Sequence, residues 1–216
     1  MGSAPSYILG EEGEYEGKHR ILQGGEDVLD DEAFFKEHGI SHVMSICHRT
    51  IGSTARTEAN IPEDNIYFIR EMDTHSTNLS QYFVKTTKFI HEARKKGGNV
   101  YVHCSAGISR SSTITLAYMM TFYDRPLDEL LPRLEHRRSC VNPNHGFMRQ
   151  LLEWHSDPRR QALRAELRDS DKHVWEPYYK LDHATFLALP QAAPADPTPE
   201  FDLDDDDRED WVPGDP

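Results

Sequence analysis

The chain has 216 residues, 37% of them apolar, and a net charge of −13, of which −9 falls on residues 190–216 and only −4 on all the rest. That length gives room for one domain with a core that needs no disulfides, plus a tail. The negative balance argues against nucleic acid as a partner. Three irregularly spaced cysteines, Cys47, Cys104 and Cys140, argue against a secreted disulfide framework, and the sequence shows neither a membrane-length apolar run nor a signal-peptide core.

Residues 1–18 are Gly- and Glu-rich and weakly patterned, and are expected to form a flexible N-terminal segment. A short strand is predicted at Arg20-Ile21-Leu22-Gln23, ended by Gly24-Gly25. A helix is predicted over 30–38, with Ala33, Phe34 and Phe35 apolar and Gly39 as its stop. Residues 40–47 alternate apolar and polar, a strand pattern. Residues 48–65 read as a surface loop whose two arginines, Arg49 and Arg56, suit acidic substrates. A compact strand follows at Ile66-Tyr67-Phe68-Ile69.

Ser80 suits the N-cap of a helix running to about Lys96, with Phe83, Thr87, Ile90 and Ala93 on one face and Gly97-Gly98 as its stop. Residues 99–102 form the next strand, 103–109 a loop, and 110–123 a helix carrying Ile114, Ala117, Tyr118 and Thr121 at helical spacing. Pro126 begins a helix to Arg137. Pro143-Asn144 breaks the chain, and the last domain helix covers 146–156. Strands alternating with helices imply an α/β fold, a central mostly parallel sheet of about five strands flanked by helices on both faces. The domain is drawn at 19–157, a partly helical extension at 158–189, and a disordered acidic tail at 190–216, which is rich in Pro and Asp.

The chemistry concentrates in Val102-His103-Cys104-Ser105-Ala106-Gly107-Ile108-Ser109-Arg110-Ser111-Ser112. A loop between a strand and a helix can turn several N–H groups toward one anion, with the helix N-terminus behind it. An ordinary thiol is mostly protonated at neutral pH, and such surroundings convert it to the nucleophilic thiolate. An arginine six residues on can return to the loop and grip phosphate oxygens with its planar fork. Carboxylates for proton transfer lie upstream at Asp64, Glu71 and Asp73.

These residues resemble the active-site loop of the cysteine-dependent protein tyrosine phosphatases. The string Ala106-Gly107-Ile108-Ser109-Arg110-Ser111 resembles their dual-specificity branch, in its compact atypical form. The likeness runs from Ile21 to Trp154. It takes in Asp73-x5-Leu79-x3-Phe83, Ala117-Tyr118-Met119-Met120, and Arg138-Ser139-Cys140-x2-Pro143-Asn144-x2-Phe147-x2-Gln150-Leu151. The resemblance implies a phosphatase for phosphotyrosine and phosphoserine/phosphothreonine that works through a phosphocysteine and needs neither metal nor cofactor. It makes Cys104 the nucleophile, Arg110 the phosphate clamp and Asp73 the general acid. Ser111 stabilises the departing thiolate, residues 103–110 bind the phosphate, and Asn144 supports the loop. His103 orients the Cys104 backbone. Phosphoprotein substrates are implied, signalling kinases among them.

Cys47 ends a predicted strand and reads either as a small buried hydrophobe or, by the same resemblance, as a redox partner that forms a protective disulfide with Cys104. Met1-Gly2-Ser3-Ala4-Pro5-Ser6 fits the pattern for N-myristoylation at Gly2. A single such chain gives only marginal membrane binding, about 10⁴ M⁻¹, and no polybasic stretch follows. The expected compartment is the cytosol or nucleus, with peripheral membrane association if Gly2 is acylated. The run Asp202-Leu203-Asp204-Asp205-Asp206-Asp207, flanked by Phe201 and Trp211, reads either as a solvated flexible end or as a docking peptide for a basic partner. Three rival readings stand beside the phosphatase. They are a phosphatase for a non-protein ester such as a phospholipid, a non-catalytic phosphate-reading module, and a scaffold acting through its tail.

Overall fold

The computed structural model describes residues 4–9 and 20–170. Gly2, the acidic tail and residues 171–189 of the expected extension lie outside the described residues.

Five strands, β1 (Ser6–Leu9), β2 (Ile21–Gly24), β3 (Ile40–Ile46), β4 (Ile66–Ile69) and β5 (Asn99–His103), form one sheet in the order β1-β2-β5-β3-β4. All neighbouring pairs are parallel except β1 with β2. The sheet is thus the expected mostly parallel one. β5 is central, and all five of its residues are buried, as a strand covered on both faces must be.

Two helices, α1 (Glu32–Glu37) and α2 (Ser53–Glu58), lie on one face. They enclose a small core of Leu22, Leu29, Phe34, Phe35, Val43 and Tyr101. The other face carries α3 (Phe83–Lys95), α4 (Arg110–Tyr123), α5 (Leu127–Arg137), α6 (His145–Ser156) and α7 (Pro158–Ser170). Their larger core includes Ile46, Phe83, Val102, Ile114, Met120, Leu130, Phe147 and Trp154. Residues 111–122 of α4 are buried on every side, because α3, α5, α6, α7 and the sheet surround it. That burial explains why α4 lacks a polar face.

Three sequence expectations change. The segment expected to be flexible to Lys18 contains an edge strand. In β1, Ile8 is buried and the Tyr7 hydroxyl bonds His38 Nδ1 at 2.6 Å. Four residues between Gly- and acid-rich neighbours leave too short a pattern to read as a strand. The surface loop 48–65 contains α2, a single turn and a half that buries only Ala55. The helix expected from Ser80 starts as a 3-10 turn, Ser80–Tyr82, and becomes α-helical only at Phe83, and Ser80 does not cap it. The first part of the extension, α7, is helical and sits on the domain with Leu163 and Leu167 in the main core.

Candidate active site

Cys104 follows the last residue of β5, and Arg110 is the first residue of α4, so the intervening loop lies between the central strand and the most deeply buried helix. This is the carboxyl end of a parallel sheet, where helix N-termini converge and anions bind. The Cys104 side chain is 1% exposed, and its Sγ lies 3.3 Å from Ser111 Oγ in the first turn of α4.

The loop's carbonyls are held from outside. Glu26 N donates to Ser105 O at 3.2 Å, and Asn142 N donates to Ile108 O at 3.0 Å. Arg138 Nη2 donates to Ala106 O at 3.2 Å and its Nε to Gly107 O at 2.8 Å. Gln23 Nε2 also reaches Gly107 O, at 3.3 Å, and Ser112 Oγ at 2.8 Å. A trans peptide sets its N–H opposite its C=O. Four carbonyls drawn outward therefore leave the N–H groups of Ala106, Gly107, Ile108 and Ser109 facing inward, toward the space above Cys104. Gly107 has φ +69°, and a Cβ there would overlap the Gly24 backbone, so only glycine fits.

Arg110 folds back over this nest. Its Nη1 donates to Glu71 O at 2.9 Å and its Nη2 to Ser105 Oγ at 3.1 Å. Nε lies 3.4 Å from Asp73 Oδ2, an ionic contact without an aligned hydrogen bond. The Arg110 side chain is 11% exposed and that of Asp73 32%, so Asp73 occupies the rim. Ser109 Oγ donates to Asp73 Oδ1 at 2.8 Å, and Asn144 Nδ2 donates to the same oxygen at 2.8 Å. Asn144 N in turn donates to Ser109 Oγ at 3.1 Å. Asn144 also caps α6, its Oδ1 accepting from Phe147 N at 3.1 Å.

His103 is held by β3. Its Nε2 lies 2.7 Å from Ser45 Oγ and its Nδ1 3.4 Å from Cys104 O. Burial pushes its pKa down to about 4, so the ring is neutral and has one N–H for these two contacts. The β3–β5 register pairs Ser45 with His103, which sets Cys47 near Cys104 at adjacent strand ends. Cys47 is buried, its Sγ donates to Arg49 O at 3.0 Å, and burial raises its pKa. All three cysteines are free thiols.

The structure thus gathers Cys104, residues 105–111, Asp73 and Asn144 at one end of β5, with His103 and Cys47 beside them on the β3 side. Asp64 lies apart, in a 3-10 turn before β4, and Glu71 contributes its backbone carbonyl to Arg110. Arg49 and Arg56, the cations expected to meet acidic substrates, pair at the surface with Asp30 and Glu63. Sequence reasoning missed Gln23 and Arg138 as supports of the loop. Gln23 is a buried amide inside a short apolar strand. Arg138 is a 2% exposed cation within a string in which the resemblance gives a role to Asn144 alone.

A model of the dual specificity phosphatase catalytic domain matches residues 21–157. The chain belongs to the dual specificity phosphatase family. Dual specificity protein phosphatase 22 of Mus musculus is 36% identical over 181 residues, covering 80% of this chain and 89% of that protein. Dual specificity protein phosphatase 22-A of Danio rerio is 41% identical over 118 residues, covering 54% of this chain and 53% of that protein. The chain therefore spans about half the length of some relatives and most of others. The crystal structure of DUSP15 superposes with a TM-score of 0.60 at 31% identity, covering 69% of this chain and 90% of that one. The family's shared catalytic region ends at Asp157, one residue short of α7.

Proposed function

We propose that this dual specificity phosphatase hydrolyses phosphotyrosine and phosphoserine/phosphothreonine in proteins through a phosphocysteine. One observation carries the reading. Cys104 Sγ sits at the floor of a nest of inward N–H groups, with the Arg110 guanidinium and the Asp73 carboxyl at its rim. Positive field from backbone dipoles and a guanidinium favours a bound phosphate dianion.

The Cys104 thiolate attacks phosphorus in line, forming the S–P bond as the ester P–O bond breaks. The Asp73 carboxyl gives its proton to the leaving oxygen. Arg110 and the loop amides hold the equatorial oxygens throughout, where charge accumulates in a loose transition state. Water then attacks phosphorus, the Asp73 carboxylate takes its proton, and the S–P bond breaks. The Ser111 hydroxyl, 3.3 Å from Sγ, donates to the thiolate that returns.

The substrates proposed are phosphoproteins, signalling kinases among them. The thiolate chemistry supports a reducing compartment, the cytosol or nucleus. Cys47 is proposed as the redox partner of Cys104, supported by its place at the adjacent strand end. Acylation of Gly2 and docking of the acidic tail to a basic partner are further parts of the reading and rest on sequence alone.

The direct test is hydrolysis of an aryl phosphate by wild type, Cys104→Ser and Asp73→Ala from about pH 5 to about pH 8. The reading expects no turnover from Cys104→Ser and a loss of about 10²-fold or more in Asp73→Ala. An inactive wild type that still binds phosphopeptides would make the chain a phosphate-reading module. Faster turnover of a phosphoinositide than of phosphopeptides would move it to the lipid esters.

A further inference from the structure

Asp73 sits in a stretch, 70–79, that has no helix or strand, yet a general acid must hold its proton within a few tenths of an ångström of the leaving oxygen. The Asp73 carboxylate is fixed at one end by Ser109 and Asn144. The other end of the stretch is fixed by one side chain from α6. Gln150 Oε1 accepts from Leu79 N at 2.8 Å and from Ser80 N at 2.9 Å, and Gln150 Nε2 donates to Thr77 O at 2.8 Å. Only this amide orientation satisfies two N–H donors and one carbonyl at once. Between the two ends the backbone lies directly on α6. A Cβ at Gly146 would overlap the His75 carbonyl, and the rings of His75 and His145 stack at 5.8 Å. Within the stretch, Thr77 N donates to Thr74 O at 3.1 Å, and the hydroxyls of Thr74 and Thr77 lie 2.8 Å apart. The acid is thus carried on an irregular loop whose C-terminal end hangs on three hydrogen bonds from one side chain of α6.

We infer that Gln150 is a positioning residue for the general acid, holding the Asp73-bearing loop against α6 so that its carboxyl meets the leaving oxygen. The inference rests on Asp73 being that acid. It separates Gln150 from Arg138 and Gln23, which brace the phosphate loop and so act on every substrate equally. Displacement of the acid alone penalises esters according to how much their leaving group needs a proton. An aryl oxide stabilised by a nitro group departs nearly unaided, whereas an unsubstituted phenoxide or an alkoxide does not.

The test compares Gln150→Met, which keeps the side-chain length and removes all three bonds, with Gln150→Glu. The latter keeps an acceptor for the two N–H groups but sets a carboxylate oxygen against Thr77 O. Turnover is read on 4-nitrophenyl phosphate and on phenyl phosphate, in the wild-type and the Asp73→Asn backgrounds. The expected kcat loss in Gln150→Met is about tenfold on phenyl phosphate and at least about threefold smaller on the nitrophenyl ester, a fraction of the 10²–10⁴-fold that a general acid supplies. Gln150→Glu falls between wild type and Gln150→Met. In Asp73→Asn the difference between the two esters caused by Gln150→Met disappears, because there is no acid left to misplace. Equal losses on both esters, or a full loss on phenyl phosphate added to that of Asp73→Asn, would overturn the inference and leave Gln150 a packing residue. If Asp73→Asn by itself spares phenyl phosphate hydrolysis, the assignment of the acid fails, and this inference falls with it.

Discussion

Arg138, at the C-terminal end of α5, donates from Nε to the Gly107 carbonyl at 2.8 Å and from Nη1 to the Ala4 carbonyl at 2.7 Å. One buried guanidinium therefore ties the back of the phosphate loop to the residues leading into β1. Its Nη1 also lies 3.4 Å from Ser6 Oγ. The N-terminal strand is in this way tied to the scaffold of the site.

Replacing Arg138 with Met removes the donor to the Ala106 carbonyl and leaves Gly107 O with Gln23 alone, a loss worth about 1–3 kcal/mol per unsatisfied carbonyl. The loop amides then lose the constraint that turns them inward. Arg138→Met is expected to lower unfolding free energy by roughly 2–4 kcal/mol and to cut kcat/KM by about tenfold or more on all esters alike. Urea denaturation and steady-state kinetics check the two parts. A variant with wild-type stability and wild-type rates would show that the loop holds its shape without the guanidinium.

Stability should fall in mild acid. Burial holds His103 at about 4 in the folded protein, against about 6.5 for an unperturbed imidazole. Burial and Lys96 bring His42 to about 4 as well. Between these values the unfolded chain binds protons that the folded chain does not, so stability rises with pH across the window and is lost as pH drops from about 6.5 toward 4. Each group contributes at most about 1.4 kcal/mol per pH unit there, and His42, being only part-buried, contributes less. Urea midpoints taken between about pH 4 and about pH 7 should follow that slope, and His103→Gln should flatten it. An unchanged slope in His103→Gln would place the acid sensitivity elsewhere.

The arginines of α7 cap the helix that begins the site. Arg160 Nη1 donates to Met120 O at 2.9 Å and to Asp124 Oδ1 at 2.9 Å, and Arg164 Nη1 donates to Thr121 O at 2.9 Å. These carbonyls close the C-terminal end of α4, where positive charge is favourable. Arg160, at 1% exposure, leaves the Met120 carbonyl unsatisfied when removed. Arg160→Ala is expected to destabilise by about 3 kcal/mol, a fall of roughly 10 °C in Tm. Rates measured well below the transition should stay near wild type, since the phosphate loop is at the other end of α4. Thermal unfolding that matches wild type would mean that water replaces the guanidinium at no net cost.

Peroxide tests the Cys47 assignment. Peroxide oxidises the Cys104 thiolate to a sulfenic acid, and the Cys47 thiol then displaces water from it to form the S–S bond. Burial keeps Cys47 protonated, which slows this second step. A Cys47–Cys104 linked peptide is expected after brief oxidation, with activity restored by a dithiol. Cys47→Ser should lose that recovery. Absence of the linked peptide by mass spectrometry leaves Cys47 as a packing residue.

The sequence alone determined the parts of this protein whose physics is local. The β5–loop–α4 unit was legible because a nucleophile, a tight glycine turn and a returning arginine must follow one another within a few residues of a helix N-terminus. The strands 40–46 and 66–69 and the helices on 110–123 and 127–137 were legible from their periodicity, as was the mostly parallel sheet. That Asp73 rather than Asp64 would lie against Arg110 was expected only through the resemblance, since Asp64 and Glu71 offered the same functional group nearby. What the tertiary structure alone decided are contacts between segments far apart in the chain. Gln23 and Arg138 meet the same carbonyl from positions 84 and 31 residues away. Gln150 carries the acid's loop from 70 or more residues downstream. Arg49 and Arg56 looked available in sequence and are paired in space. β1 takes its structure from the edge of β2 rather than from its own four residues. Hydrogen bonds of this kind depend on where backbone carbonyls and amides point after packing, and a sequence of side chains carries no record of that direction.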